Sequence, residues 1–211
     1  MGKSKGWFGI VAIVGLYIAV YVVFIAEDYL LRITETEQRY NAQFYTPEVS
    51  APAEDRGTRW FEAAFVETGV MQHTFEPFVP TDDEVSRSRG MEDLGQPLFH
   101  WFEGRIRAWW TLVWSSFTRL SVTMLWLPFV PFIVLPFLVD GWVLREIRKH
   151  GFDFSSAVIQ RYSIKLLTVI PLAFIALVTL PLPMHPLATP AFLLAFGLVG
   201  QRAITHFMKR A

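Results

Sequence analysis

Five histidines, at positions 73, 100, 150, 185 and 206, are the first residues that could do chemistry in a chain of 211 residues without cysteine. No two of them stand at a spacing such as H-x-x-x-H that would let one helix face hold zinc. They read as isolated surface or interface residues. With no cysteine there is neither a disulfide nor a thiolate ligand, and the redox compartment stays open. The acidic run "TDDE" at 81–84 lacks the spaced oxygens and the glycine of a calcium loop, so it reads as a solvated turn. Neither phosphate-cradling glycine motif occurs, and no G-x-S-x-G elbow does. No nucleophile, base and orienting group can be assembled. The expectation is a protein that is not an enzyme, with no catalytic, cofactor or metal site.

The elements that carry these residues are set by hydropathy. Apolar residues concentrate in four blocks, Trp7 to Ala26, Val122 to Val139, Leu166 to Leu182, and Leu187 to Gly200. A helix of about 20 residues spans the roughly 30 Å bilayer core. The first three blocks suit it, and the fourth reaches that length through Ile204, with Arg202 snorkelling. The first block exceeds the usual apolar length of a cleaved leader and lacks a small-residue cleavage site, so it reads as an uncleaved anchor. The expected fold class is all-α: a polytopic helical membrane protein of four spans, with an extended outer helix and a short amphipathic cytoplasmic helix. In domain terms, 1–31 is the anchor, 32–96 an acidic extracytoplasmic segment, and 97–211 a helical membrane domain. Its spans lie near 120–139, 166–182 and 187–204, with a basic loop at 140–165.

Charge sorts the loops. From Glu27 to His100 there are 15 acids against 6 arginines, whereas Asp140 to Lys165 holds 5 basic residues against 3 acids. Lys3, Lys5, the 140–165 loop and the tail with Arg202, Lys209 and Arg210 would then face the cytoplasm of a bacterial inner membrane, with 27–100 outside. Asp140 and Gly141 are expected to break the apolar run. A short surface helix should follow, with Trp142, Val143 and Ile147 on one side and Arg145, Arg148 and Lys149 on the other. Those cations suit anionic lipid or an acidic partner. Arg161 and Lys165 continue the surface, and Asp140 caps the helix or pairs with Arg145. Prolines 128, 131 and 136 predict a kinked rather than a broken span.

In the outer segment, "TPEVSAPAEDRG" reads as an irregular linker and "TRWFEAAFVETGVM" as a short helix. Pro97 would open a long helix. On it Trp101, Trp109, Trp110 and Trp114, interleaved with arginines, read as an interfacial belt. Direct nucleic-acid contact is not expected on this acidic side. No span carries an acid, lysine or histidine at its centre, which counts against a pump. Gly197 and Gly200 would let helices approach closely.

The run Pro136, Val139, Asp140, Gly141, Arg145, Ile147, Arg148 and Lys149, together with the proline-rich turn Pro183, His185, Pro186 and Pro190, resembles a family of membrane proteins of integrating conjugative elements. TraJ-type conjugative transfer proteins are its relatives. The resemblance is carried by residues 97–205. It implies a non-catalytic inner-membrane component of a conjugative, type IV secretion-like DNA-transfer system. It also implies a partner, the TraD-like coupling ATPase, with Asp140, Arg145, Arg148, Lys149, Arg161 and Lys165 as the contact to partner or lipid. A small oligomeric membrane pore or transport protein is the alternative, and homo-oligomerisation stays open.

Overall fold

The computed structural model describes residues 27–76, 92–150 and 156–207, and for 92–100 the backbone only. The first apolar block, with Lys3 and Lys5, the "TDDE" run, and Lys209 and Arg210 of the tail lie outside them. Every regular element among the described residues is helical, so the all-α class holds.

Helix α1, Glu27–Phe44, buries Leu30, Ile33 and Glu37, a stripe at i, i+3 and i+7 that includes one acid. Helix α2, Pro47–Phe61, replaces the linker expected there. Pro47 occupies the first turn, where a missing N–H costs nothing. Ser50, Ala53, Gly57 and Phe61 form its buried face. A π-helical turn, Glu62–Val66, leads to Gly69, whose φ of 73° glycine alone adopts freely. Helix α3 is the short Val70–Phe75.

Helix α4, Glu92–Thr123, starts before Pro97. It runs through a 3-10 segment, Met124–Phe129, into helix α5, Val130–His150. The tighter turn contains Pro128, which cannot donate to an α-helical ladder. Helices α6, Ala157–Thr179, and α7, Ala188–Thr205, follow.

No new helix begins after Gly141. The expected break at Asp140 and Gly141 is absent, because the glycine is there for packing. A Cβ on Gly141 would stand 2.8 Å from the Gln201 carbonyl oxygen and 2.9 Å from its Cα. A Cβ on Gly197 would stand 2.6 Å from the Phe137 ring, and one on Gly200 3.1 Å from the Leu138 side chain. Small residues thus let α5 and α7 touch.

Two layers of contact set the directions. Leu30 and Ile33 share a core with Ala108 and Leu112, Glu37 meets Arg119, and Trp126 donates to the Tyr45 hydroxyl at 2.6 Å. Helix α1 is therefore parallel to α4. Helix α2 is antiparallel to it, since Ser121 donates to the Ala53 carbonyl, Trp114 to Thr58, and Phe61 stacks edge-on to Trp110. Contacts 137 with 197 and 148 with 206 make α5 and α7 parallel. Phe174 against Phe192 sets α6 antiparallel to α7.

Two helical stretches, Trp101–His150 and Ala157–Thr179, are long and apolar enough to cross a membrane. Their outward faces are apolar: Phe132 is 78 % exposed, Leu172 59 % and Ile175 60 %. That inverts the soluble pattern, in which large contiguous apolar patches are covered.

Candidate functional site

Because α5 and α7 are parallel and α6, between them in the chain, packs antiparallel on α7, the C-terminal ends of α5 and α7 meet the N-terminal end of α6. Most of the expected contact residues gather there. Asp140 accepts a hydrogen bond from the Gln201 side chain and does not cap a helix. The Arg145 guanidinium lies 5.1 Å above the Phe207 ring, a cation–π contact. Arg148 Nη1 stands 3.1 Å from His206 Nδ1 and 3.3 Å from Nε2.

The charged side of α5 therefore faces α7. Trp142 and Ile147, each 61 % exposed, point the other way. Lys149 binds Glu146 at 2.6 Å. Lys165 sits 5.8 Å from the Tyr162 ring on its own helix, and Arg161 is exposed on α6. Neither is bonded to the group around His206.

His206 is the junction. It is buried and its Nδ1 accepts the Ser156 backbone N–H at 3.3 Å. Ser156 is itself the N-cap of α6, its hydroxyl accepting from Ile159 N–H. A backbone N–H can only donate, so Nδ1 is unprotonated and the neutral ring carries its proton on Nε2. Burial first, then the charges of Arg148 and Arg202, push the His206 pKa below its ordinary value.

The opposite end of the bundle is closed by an ion pair the sequence reading missed. Arg119 Nε stands 2.9 Å and 3.1 Å from the two Glu37 carboxylate oxygens. Its Nη1 donates to the Val178 and Leu180 carbonyls, and its Nη2 to Leu182. One guanidinium thus caps the exhausted end of α6 and binds α1 to the following turn. Glu37 completes the latch by accepting the Met184 N–H at 2.6 Å. Burial raises the Glu37 pKa above its ordinary value, against the opposing pull of Arg119 and the Met184 N–H. The adjoining cavity, about 50 Å³ and lined by Glu37, Asn41, Glu54, Arg119, Thr123 and His185, is on the scale of water rather than an organic ligand.

The four tryptophans do not form one exposed belt. Trp101 is exposed and stacks with Arg105. Trp109 packs against the α1 core. Trp110 is buried and donates to Thr74, and Trp114 donates to Thr58. Helices α2 and α3 are fastened to α4 by these indoles. His73 pairs with Glu76, and His185 packs on Tyr40 and Phe44. Among the described residues no three His, Asp or Glu side chains converge as metal ligands would.

The sequence matches the DtrJ-like family, described as IncC plasmid conjugative DNA transfer protein DtrJ-like, over residues 31–208. The chain belongs to that family. The match takes in α1 to α3 as well as the bundle, whereas the resemblance to integrating-element proteins rested on residues 97–205. Conjugative DNA transfer, the system implied by that resemblance, is the system of the family. No curated protein and no solved structure matches the chain.

Proposed function

We propose that this family member is a non-catalytic inner-membrane component of the conjugative apparatus that assists or anchors the coupling ATPase. The observation that carries the reading is the arrangement of α5, α6 and α7. Their outward faces are apolar, and the basic ends of all three meet at one end of the bundle. In this reading four spans cross the membrane, both termini and the His206 end face the cytoplasm, and helices α1 to α3 lie outside with the start of α4. The surface offered to the ATPase is made of the exposed cations Arg161 and Lys165 beside the fixed group of Arg145 and Arg148. The test is affinity purification of the tagged protein from donor-cell membranes in mild detergent, with mass spectrometry of what accompanies it. Recovery of a coupling ATPase, lost on Arg161→Glu with Lys165→Glu, is the expected result. Purification as a homo-oligomer alone, with ion flux in liposomes, would overturn it in favour of a pore.

A further inference from the structure

We infer that the end of α7 holds a stoichiometric site for the phosphate of an anionic phospholipid, built by Arg145, Arg148 and Arg202. The site rests on the membrane reading above, which puts this end at a bilayer surface.

Three guanidinium groups surround the His206–Phe207 corner. Arg145 is held on the Phe207 ring, Arg148 is held by His206, and Arg202 stands one helical turn before His206, whose backbone N–H donates to the Arg202 carbonyl at 3.2 Å. Among the described residues none of the three pairs with a carboxylate. Glu146 is taken by Lys149 and Asp140 by Gln201. The C-terminal dipole of α7 supplies roughly half a negative charge, which leaves a cationic excess at a partly desolvated corner. The partner of Arg148 is a neutral imidazole that already receives the Ser156 N–H, so this histidine neutralises nothing.

Planar guanidinium forks match phosphate oxygens geometrically, and Arg is the residue that reads them bidentately. Two features favour a lipid as the source of the phosphate. The corner lies where apolar outward faces end, and Phe207 beside it is 53 % exposed. Such a junction offers the headgroup a fixed charge and the acyl chains an apolar wall. The site differs from a diffuse basic patch because it needs Arg202 from α7 and does not need Lys149, the cation already paired with Glu146.

Native mass spectrometry of the full chain, released from nanodiscs of phosphatidylcholine with phosphatidylglycerol, tests this. One retained phosphatidylglycerol per chain is expected. Arg148→Gln with Arg202→Gln should reduce retention at least tenfold, and Lys149→Gln should leave it unchanged. Arg148→Lys with Arg202→Lys, which keeps the charge, should retain the lipid partially and shows that loss is not misfolding. Equal retention of phosphatidylcholine, or equal loss in the Lys149 variant, would overturn the site. Full displacement by millimolar inorganic phosphate would assign it to free phosphate and overturn the lipid. A chain that purifies without detergent would overturn the membrane reading itself, whereas an embedded chain retaining no lipid overturns only the site.

Discussion

Arg119 and Arg148 lie on one continuous helical run and are treated in opposite ways. Arg119 is buried with a carboxylate and three backbone carbonyls around it. Arg148 is half-buried and meets only an imidazole. The first arrangement directs all three guanidinium nitrogens to acceptors inside the chain, and the carboxylate neutralises the charge. The second leaves the charge uncompensated. One end of the bundle is therefore shut by an arginine and the other is left with uncompensated ones, which is why the proposed contacts are placed at the second end.

The largest effects should come from breaking the shut end. Removing one member of a buried ion pair strands the other charge, at about 3–5 kcal/mol. Glu37→Ala and Arg119→Ala should each lower thermal stability in detergent by that amount. The double variant Glu37→Met with Arg119→Met should cost less than the sum of its parts, because no charge is then stranded. Arg148→Gln should cost about 1 kcal/mol or less, since it removes one hydrogen bond to a neutral ring. Equal losses at Arg119 and Arg148 would erase the contrast between the two ends.

How much of this was legible in the chain depends on which side chains signal burial. The helices behind the stretches 166–182 and 187–204 were readable from hydropathy and end within a few residues of those limits; of the two, Ala157–Thr179 is long and apolar enough to cross a membrane. Helix α2 was not readable in this way, because its buried face before Phe61 is made of the small residues Ser50, Ala53 and Gly57, which carry little hydropathy, and because Pro, Ser and Gly in the stretch are turn formers. The nearest clue was their recurrence at i, i+3 and i+7. Gly141 misled for the same reason: a residue that can end a helix can equally let another helix approach. The latch left a fainter mark, Glu37 standing in register with Leu30 and Ile33 on an apolar stripe. Its partner was 82 residues away, and no local pattern names such a partner. Arg145 and Arg148 were found by charge, but their contacts with Phe207 and His206 at the end of α7 were not. Amphipathicity reports two faces and does not say which one meets protein when the outer medium is lipid.

An intermediate effect should separate the two kinds of glycine. Gly141→Ala places a Cβ against the Gln201 backbone, where no flexible side chain can yield. Overpacking of this kind costs about 1–3 kcal/mol. Gly104 has no atom within 4 Å of such a Cβ, so Gly104→Ala should be neutral or slightly stabilising, given the helix propensity gained. Thermal melts of both variants check this. A neutral Gly141→Ala would mean that α5 and α7 do not touch at Gln201, and the arginine corner built on their contact would then lose its frame.

The smallest effect sharpens the contrast through pH. His206 has a folded pKa below the ordinary 6.5, so its contribution is complete above that value. It declines as the unfolded chain takes up the proton and is lost as the pH falls through the folded pKa. Glu37 has a folded pKa above the ordinary 4.5, so its contribution runs the other way, complete below 4.5 and lost as the pH rises through the raised value. Melts from pH 8 to pH 5 should therefore show a decline on acidification that His206→Gln reduces and Glu37→Gln does not. Protonated His206 would add a third cation beside Arg148 and Arg202 and surrender the Ser156 N–H, loosening α6 from α7. An anion bound at the corner should offset that repulsion and favour the extra charge on the ring. The His206 pKa should then rise in phosphatidylglycerol relative to phosphatidylcholine, and histidine NMR in the two nanodiscs would register the difference. An identical titration in both lipids would leave the open end without its anion.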